Sequence, residues 1–344
     1  MRTFADIPVT VERLLGTGER DRVGVILLDA FGRRFLERHA DHPFLRRLEV
    51  TELSTQFPPT TTAHVTTMHT GRPVGEHRLY EWHVHEPTLD AIITPLLFSF
   101  ADDPERDTLR GVLDPAALLA GDTLYERLPV PSTVLQPAAF SPSTYDRVAA
   151  RGARIAPYGT LRDGVEAFWS ALSEPGYAYL YWDRIDATGH LHGPDSREFD
   201  AAALEALDAL ERGLRETGAL VLVTADHGQV ATNPFRVDWL DELWPELPGL
   251  LTHRPAGSPR DVFLHTNEPD EVIAGLASRL DGARVCRASD LVAPGPRSAD
   301  VCVLPAPGRM AWLRPYAGRS TSFRGHHGGL HPDETETWVG ALYS

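Results

Sequence analysis

The amino-acid sequence predicts an α/β fold: a mainly parallel central sheet with helices on both faces and inserted lid-like segments. Three observations carry this. The runs Val23 to Leu28, Tyr177 to Trp182 and Leu220 to Thr224 are continuously apolar rather than alternating, as in strands buried on both faces. Helical patterns fall between them, so strand and helix alternate along the chain. Asp or His residues follow each run, at the carboxyl edge where an open α/β sheet gathers its ligands.

Each element has its own signal. The first run, VGVILL, ends at Asp29, and Phe31 to Ala40 reads as a helix. Val50 to Phe57 reads as a second strand. Pro58-Pro59 and a Thr-rich turn then lead into a short helix ending at Gly71. A long amphipathic helix follows Pro194, with Phe199, Ala203, Leu207, Leu210 and Leu214 recurring at helical spacing. Segments of about 83–157 and 229–322 are rich in Pro and turn residues, with short strands such as Asp261 to His265. They are expected to be elaborations around the sheet, as lids, within a single catalytic domain over 1–344. No internal repeat or low-complexity tract is visible.

Composition narrows the function. The 344 residues suffice for a large core. Lys plus Arg number 33 against 48 Asp plus Glu, a formal charge of −15. Such a chain repels polyanions, so no nucleic-acid polymer is expected as a partner, and a phosphate substrate would need local positive charge from Arg or metal. Cys286 and Cys302 form no CxxC pair and no disulfide framework, so both are expected to be reduced. The N-terminus lacks the apolar run of a signal peptide. The best apolar stretch, Ala91 to Phe100, is broken by Pro95 and too short to span a bilayer. A cytoplasmic location without membrane contact is the expectation, with the oligomeric state left open.

The chemistry-bearing residues sit at the strand exits. Asp29 ends the first strand, Asp186 and His190 follow the second buried run, and Asp226 and His227 end the third. His327 lies in Gly325-His326-His327-Gly328-Gly329. Taken singly, each has a plain reading: a helix cap for Asp29, a polar turn at Gly189, a strand exit at Gly228, loop histidines near the end. Together, Asp and His at three strand exits point to divalent metal. Mixed carboxylate and imidazole ligands suit Zn²⁺, with Mn²⁺ or Fe as alternatives. A nucleophile is offered by FPPTTTAHVTTMHTG, where a threonine at a helix start would be activated by metal and aided by backbone N–H groups. The residues alone do not choose among Thr60, Thr61 and Thr62, and any of them would also serve as an N-cap.

These islands resemble the alkaline phosphatase superfamily, specifically its nucleotide pyrophosphatase/phosphodiesterase branch, over Val23 to His331. LLDAFG matches the metal-binding Asp at Asp29. FPPTTTAHVTTMHTG matches a P-T-x-T segment followed by Thr-Gly, and counting back from Gly71 puts the nucleophile at Thr61. D-x-x-G-H-x-x-G-P matches Asp186 through Pro194, D-H-G matches Asp226 and His227, and H-G-G matches His327. The resemblance implies an alkaline phosphatase-like fold and two divalent ions, zinc expected. One would be held by Asp29, Thr61, Asp226 and His227, the other by Asp186, His190 and His327. It also implies attack by Thr61 and a covalent phosphothreonine intermediate. One departure stands out: relatives often carry H-G-I-x-x-N after Thr-Gly, whose Asn holds a phosphoryl oxygen, and Trp82 stands at that position here. No sulfatase signature is found at Thr61 to Val65, and a mutase would carry serine at 61.

Charge arithmetic favours a diester. Three ligand Asp residues, two divalent ions and one alkoxide sum to about zero, which suits a monoanion. A dianionic monoester would need further cations, for which Arg72 and Arg78 lie close in sequence. Tyr80 and Trp82, with His83 and His85, are candidates to stack on a nucleotide base or other aromatic leaving group, although aromatic residues more often simply pack. The expected partner is thus a small phosphate ester, a nucleotide among the candidates. The alternatives are a phosphomonoesterase or phosphonate hydrolase on the same metal core, or a catalytically inactive metal- or ligand-binding protein.

Overall fold

The computed structural model describes residues 2–103 and 105–343. Among them, seven strands form the central sheet: β1 (Arg22–Leu28), β2 (Glu49–Ser54), β3 (Ser132–Pro137), β4 (Arg154–Tyr158), β5 (Gly176–Trp182), β6 (Leu220–Thr224) and β7 (Glu336–Tyr343). Their order across the sheet is β2-β7-β6-β1-β5-β3-β4. β6, β1, β5, β3 and β4 run parallel, and β7 is antiparallel to both its neighbours, β6 and β2.

Alternation along each strand divides the apolar side chains between two cores. In β1, Ile26 and Leu28 face one side while Val23, Val25 and Leu27 face the other. In β5 the split is Ala178, Leu180 and Trp182 against Tyr177, Tyr179 and Tyr181. The first side is covered by α2 (Arg33–Arg38) and by the helices Leu161–Ala171 and Arg197–Gly213, through Phe35, Phe168 and Phe199. The other side is covered by α1 (Asp6–Gly16) and α3 (Thr61–Thr70), through Ile7, Val11, Val65 and Met68. Helices therefore lie on both faces. Gly24 is the point of closest approach: a Cβ there would lie 2.4 Å from Phe168.

The second elaborated segment, 229–322, builds an antiparallel sheet in the order Ala256–Ser258, Asp261–Leu264, Val301–Leu304, Arg284–Arg287. The helix Pro269–Ala277 packs on it through Val272 and Leu276. The first segment, 83–157, is only partly an elaboration. Its opening residues form a three-stranded antiparallel sheet of Val84–Glu86, Ala91–Thr94 and Ser99–Phe100, but its later residues supply β3 and β4 to the central sheet. Both strands carry prolines, Pro137 and Pro157, and β4 is partly exposed at the sheet edge, so neither shows the continuous apolar run of a central strand. β2 also ends earlier than its sequence suggests, at Ser54 rather than Phe57. It is exposed along most of its length because it forms the opposite edge. Among the described residues no helix is long and apolar enough to cross a membrane.

Candidate active site

β1, β5 and β6 end side by side, with Leu28 paired to Trp182 and Leu27 to Thr224. The residues that follow are thereby delivered to one edge: Asp29 from β1, Asp186 and His190 from the helix after β5, and Asp226 and His227 from β6. His327 arrives from the loop after a short strand pairing Val230 with His326. Asp29, Asp226 and His227 offer ligand atoms within 4.8 Å of one another, and so do Asp186, His227 and His327. His190 Nε2 lies 3.2 Å from Asp186 Oδ2, and His327 Nε2 lies 3.7 Å from Asp186 Oδ1. The His227 and His327 rings stack at 3.9 Å between centroids. All six side chains meet in one cluster, Asp29, Asp226, His227 and His327 buried and Asp186 and His190 partly exposed.

The three imidazoles share an orientation. Nδ1 of His190 faces the carbonyl oxygen of Gly325 at 2.7 Å, that of His327 faces Pro59 at 3.0 Å, and that of His227 faces Gly228 at 3.1 Å. A carbonyl only accepts, so each Nδ1 carries a proton and each Nε2 is turned toward the site, that of His190 facing Asp186. The carboxylates are positioned in the same way. The hydroxyl of Tyr181 donates to Asp29, the backbone N–H groups of Ala30 and His227 donate to Asp226 Oδ1, and Gln229 Nε2 donates to Asp186 Oδ1 at 2.5 Å. Tyr181 and Gln229 went unread in the sequence. Each had a faint signal: a hydroxyl in an otherwise buried strand, and an amide immediately after the Asp-His-Gly turn.

The threonines separate by role. Thr60 is the N-cap of α3, its Oγ1 accepting from the Ala63 N–H and donating to the Tyr80 carbonyl oxygen at 2.6 Å. Thr62 is buried at 1% exposure. Thr61 turns toward the cluster, its Oγ1 lying 3.4 Å from Asp29 Oδ2 and 3.3 Å from His227 Nε2. The helix behind it is buried on every side although it is built from Thr and His rather than apolar residues. Several of its polar side chains find partners: His64 Nδ1 at Thr60 O, Thr66 at the Tyr145 hydroxyl, Thr67 at His77, and His69 Nδ1 at the Tyr125 hydroxyl, while His69 Nε2 has none. Such a network fixes the helix start, and with it Thr61.

Electrostatics single out the cluster. Burial, and then the nearby Asp226 and Asp186, hold the Asp29 carboxyl well above its usual range. Burial likewise raises Asp226, whose Oδ2 is buried without a hydrogen-bond partner. Burial would raise Asp186 too, but the charge and hydrogen bond of His190 outweigh it and hold Asp186 low. No Lys or Arg pairs with these three carboxylates among the described residues. Carboxylates without Lys or Arg partners, next to imidazoles whose Nε2 atoms face them, form a donor set that fits divalent cations.

Of the aromatic candidates, Tyr80 is 2% exposed, packs edge-on against Phe263 and donates its hydroxyl proton to Arg297 O. Trp82 is 42% exposed and keeps an open face. His85 lies in a separate cluster with His253 and His265. Arg78 binds the Ala293 and Pro294 carbonyl oxygens, and Arg72 reaches the Asp122 carbonyl oxygen.

The sheet has the alkaline phosphatase-like α/β fold, with the cluster at the carboxyl edge of its strands. The family model for type I phosphodiesterase / nucleotide pyrophosphatase matches residues 23–98 and 130–328, and the chain belongs to that family. Among solved structures, murine ectonucleotide pyrophosphatase / phosphodiesterase 5 superposes with a TM-score of 0.72 at 17% identity, covering 93% of this chain and 88% of that one. The human protein of that name gives 0.70 at 18% identity, covering 93% and 87%. An inactive form of the murine protein in complex with AMP gives 0.71 at 17% identity, covering 94% and 88%. A bovine bis(5'-adenosyl)-triphosphatase, ENPP4, is 35% identical over 83 residues, which is 21% of this chain and only 18% of that protein's length. The chain is therefore a phosphodiesterase/nucleotide pyrophosphatase by family, and it carries groups of residues able to hold metal.

Proposed function

We propose that this protein hydrolyses phosphodiesters of nucleotides through Thr61, with two divalent ions, zinc foremost, as its cofactors. The observation that carries the reading is the buried meeting of Asp29, Asp186 and Asp226 with three histidines, each of which has its Nδ1 committed to a backbone carbonyl. Asp29, Thr61, Asp226 and His227 would hold one ion, and Asp186, His190 and His327 the other. When bound, the ions would supply Lewis acidity for the phosphoryl oxygens and the attacking and departing oxygens.

The chain's own groups do the rest. Thr61 Oγ1 forms a bond to phosphorus, and the ester oxygen on the opposite side departs with its electron pair. Water then attacks the phosphothreonine, the Oγ1–P bond breaks, and Thr61 is regenerated with configuration at phosphorus retained. α3 holds Thr61 still through its buried hydrogen bonds, so little reorganisation accompanies attack. Engagement of Arg72 and Arg78 with carbonyl oxygens supports a diester, since a dianionic monoester would need such cations nearby. Trp82, 42% exposed, would be available to stack on a base, and the relatives named for diadenosine triphosphate hydrolysis and bound to AMP support a nucleotide substrate.

Turnover of bis-p-nitrophenyl phosphate, p-nitrophenyl phosphate and phosphonoacetate, measured with Thr61→Ala beside the wild type, tests this. Diester turnover should exceed monoester turnover by at least about tenfold, and Thr61→Ala should lower it by about 10³-fold or more while the fold persists. A monoester preference, or an unimpaired Thr61→Ala, would overturn the proposal.

A further inference from the structure

A second group of candidate ligands lies outside the active site, where the two elaborated segments meet. His85 stands in the middle of strand Val84–Glu86, and Asp90 in the turn that leads to strand Ala91–Thr94. His253 precedes strand Ala256–Ser258, and His265 follows strand Asp261–Leu264. Four residues from two distant parts of the chain thus come together.

The geometry is that of a coordination site. Ligand atoms of His85, Asp90 and His253 all lie within 4.8 Å of one another. Asp90 Oδ1 is 3.3 Å from His85 Nε2 and 2.9 Å from His253 Nε2. Two donors on a tetrahedral zinc ion, each about 2.0–2.1 Å from it, sit roughly 3.3 Å apart. The spacing therefore needs little adjustment to admit the ion. Nδ1 of His253 lies 3.0 Å from Thr252 Oγ1, which leaves its Nε2 for the shared point. His265 stands beside these three, its ring centroid 5.0 Å from that of His85 and 5.4 Å from that of His253. Its Nε2 is buried and has no hydrogen-bond partner. A buried imidazole nitrogen left without a partner is costly, and a ligand removes that cost.

We propose that His85, Asp90, His253 and His265 bind a third divalent cation, zinc-like in its preference for imidazole, which joins the two elaborated segments. With His265 Nε2 drawn in beside the other three, three nitrogens and one carboxylate oxygen would make a closed tetrahedral shell, so the site would be structural. The backbone already brings the segments together at one point, where the Gly257 N–H donates to the His83 carbonyl oxygen at 2.7 Å. The ion would add a second clamp two residues farther along the same strand. The clamp bears on the active site by position. Asp261, on the strand leading to His265, sits where a Cβ on Gly328 would approach its Oδ1 to 2.5 Å, and Gly328 adjoins His327.

The test is metal content of the full-length protein after equilibration with zinc and removal of loosely bound ions, comparing wild type, Asp90→Asn and His253→Ala. Asp90 has φ +50°, a conformation asparagine adopts readily, and its side chain is 82% exposed, so Asp90→Asn should leave the turn and the fold intact. Each variant should hold one zinc per chain fewer than the wild type. The wild type should also melt above Asp90→Asn in zinc, with the gap closing in a strong chelator. Wild-type zinc content in either variant, or a melting gap that survives chelation, would overturn the proposal.

Discussion

Arg260 and Glu334 form a salt bridge with side-chain exposures of 1% and 0%. Nε donates to Oε1 at 3.1 Å and Nη2 to Oε2 at 2.7 Å. Nη1 donates to the carbonyl oxygens of Ala306 and Arg309 at 2.9 and 2.7 Å, and Oε1 also accepts from the Gly329 N–H at 2.9 Å. The pair therefore ties the antiparallel sheet to the loop that carries His327. Removing one partner strands the other charge in the interior, which costs about 3–5 kcal/mol. Unfolding 344 residues releases about 0.7 kcal/mol per kelvin, so Arg260→Met or Glu334→Leu should lower the melting temperature by about 4–7 °C. The double variant leaves no buried charge and should cost less than the sum of the singles by about 2 kcal/mol. Calorimetry on the four proteins would measure this. A single substitution that costs under about 1 kcal/mol, or strictly additive singles, would refute the argument that the pair acts as a buried unit.

Other outcomes follow from the same physics. Burial raises the Glu81 carboxyl from 4.5 to about 7, so the stability tied to its protonated form is full below about 4.5 and lost as pH rises through about 7. Glu81→Gln should therefore gain on the wild type in melting temperature between pH 5 and pH 8, by the equivalent of up to about 3 kcal/mol; a gain that shrinks with rising pH would contradict this. Gly24→Ala should cost about 1–3 kcal/mol in denaturant titration because its Cβ would sit 2.4 Å from Phe168 and 2.8 Å from Leu172. Gly16→Ala, with nothing within 4 Å of its Cβ, serves as the control and should be near neutral. Chelation should abolish diester turnover and lower the melting temperature at neutral pH, since Asp29, Asp186 and Asp226 then face one another without basic partners; readdition of zinc should reverse both.

What could be read from the sequence followed burial. β1, β5 and β6 lie inside the sheet and are covered on both faces, so their residues are continuously apolar and the strands stand out. The candidate ligands at their ends inherit that clarity. β4 and β2 are edge strands with one neighbour each, and β3, although interior and buried, is built from Ser132, Thr133, Gln136 and Pro137 as well as apolar residues, so their patterns blur. β7 went unread because Glu336, Thr337 and Gly340 interrupt its apolar character. Gly340 is required there, since a Cβ would lie 2.8 Å from Leu48. The groups that orient the ligands were the least visible. Three of them are carbonyl oxygens, of Pro59, Gly228 and Gly325, and a carbonyl has no sequence signature.

The placement of β7 has a consequence for how the molecule comes into being. Of the seven strands of the central sheet, the one latest in chain order occupies an interior seat, between β6 and the early strand β2. A chain leaving the ribosome in order must hold β2 and its flanking turn unpaired until residues 336–343 emerge. His327 lies only nine residues before β7, so the seating of that strand and the arrival of His327 at the cluster are close neighbours in chain order.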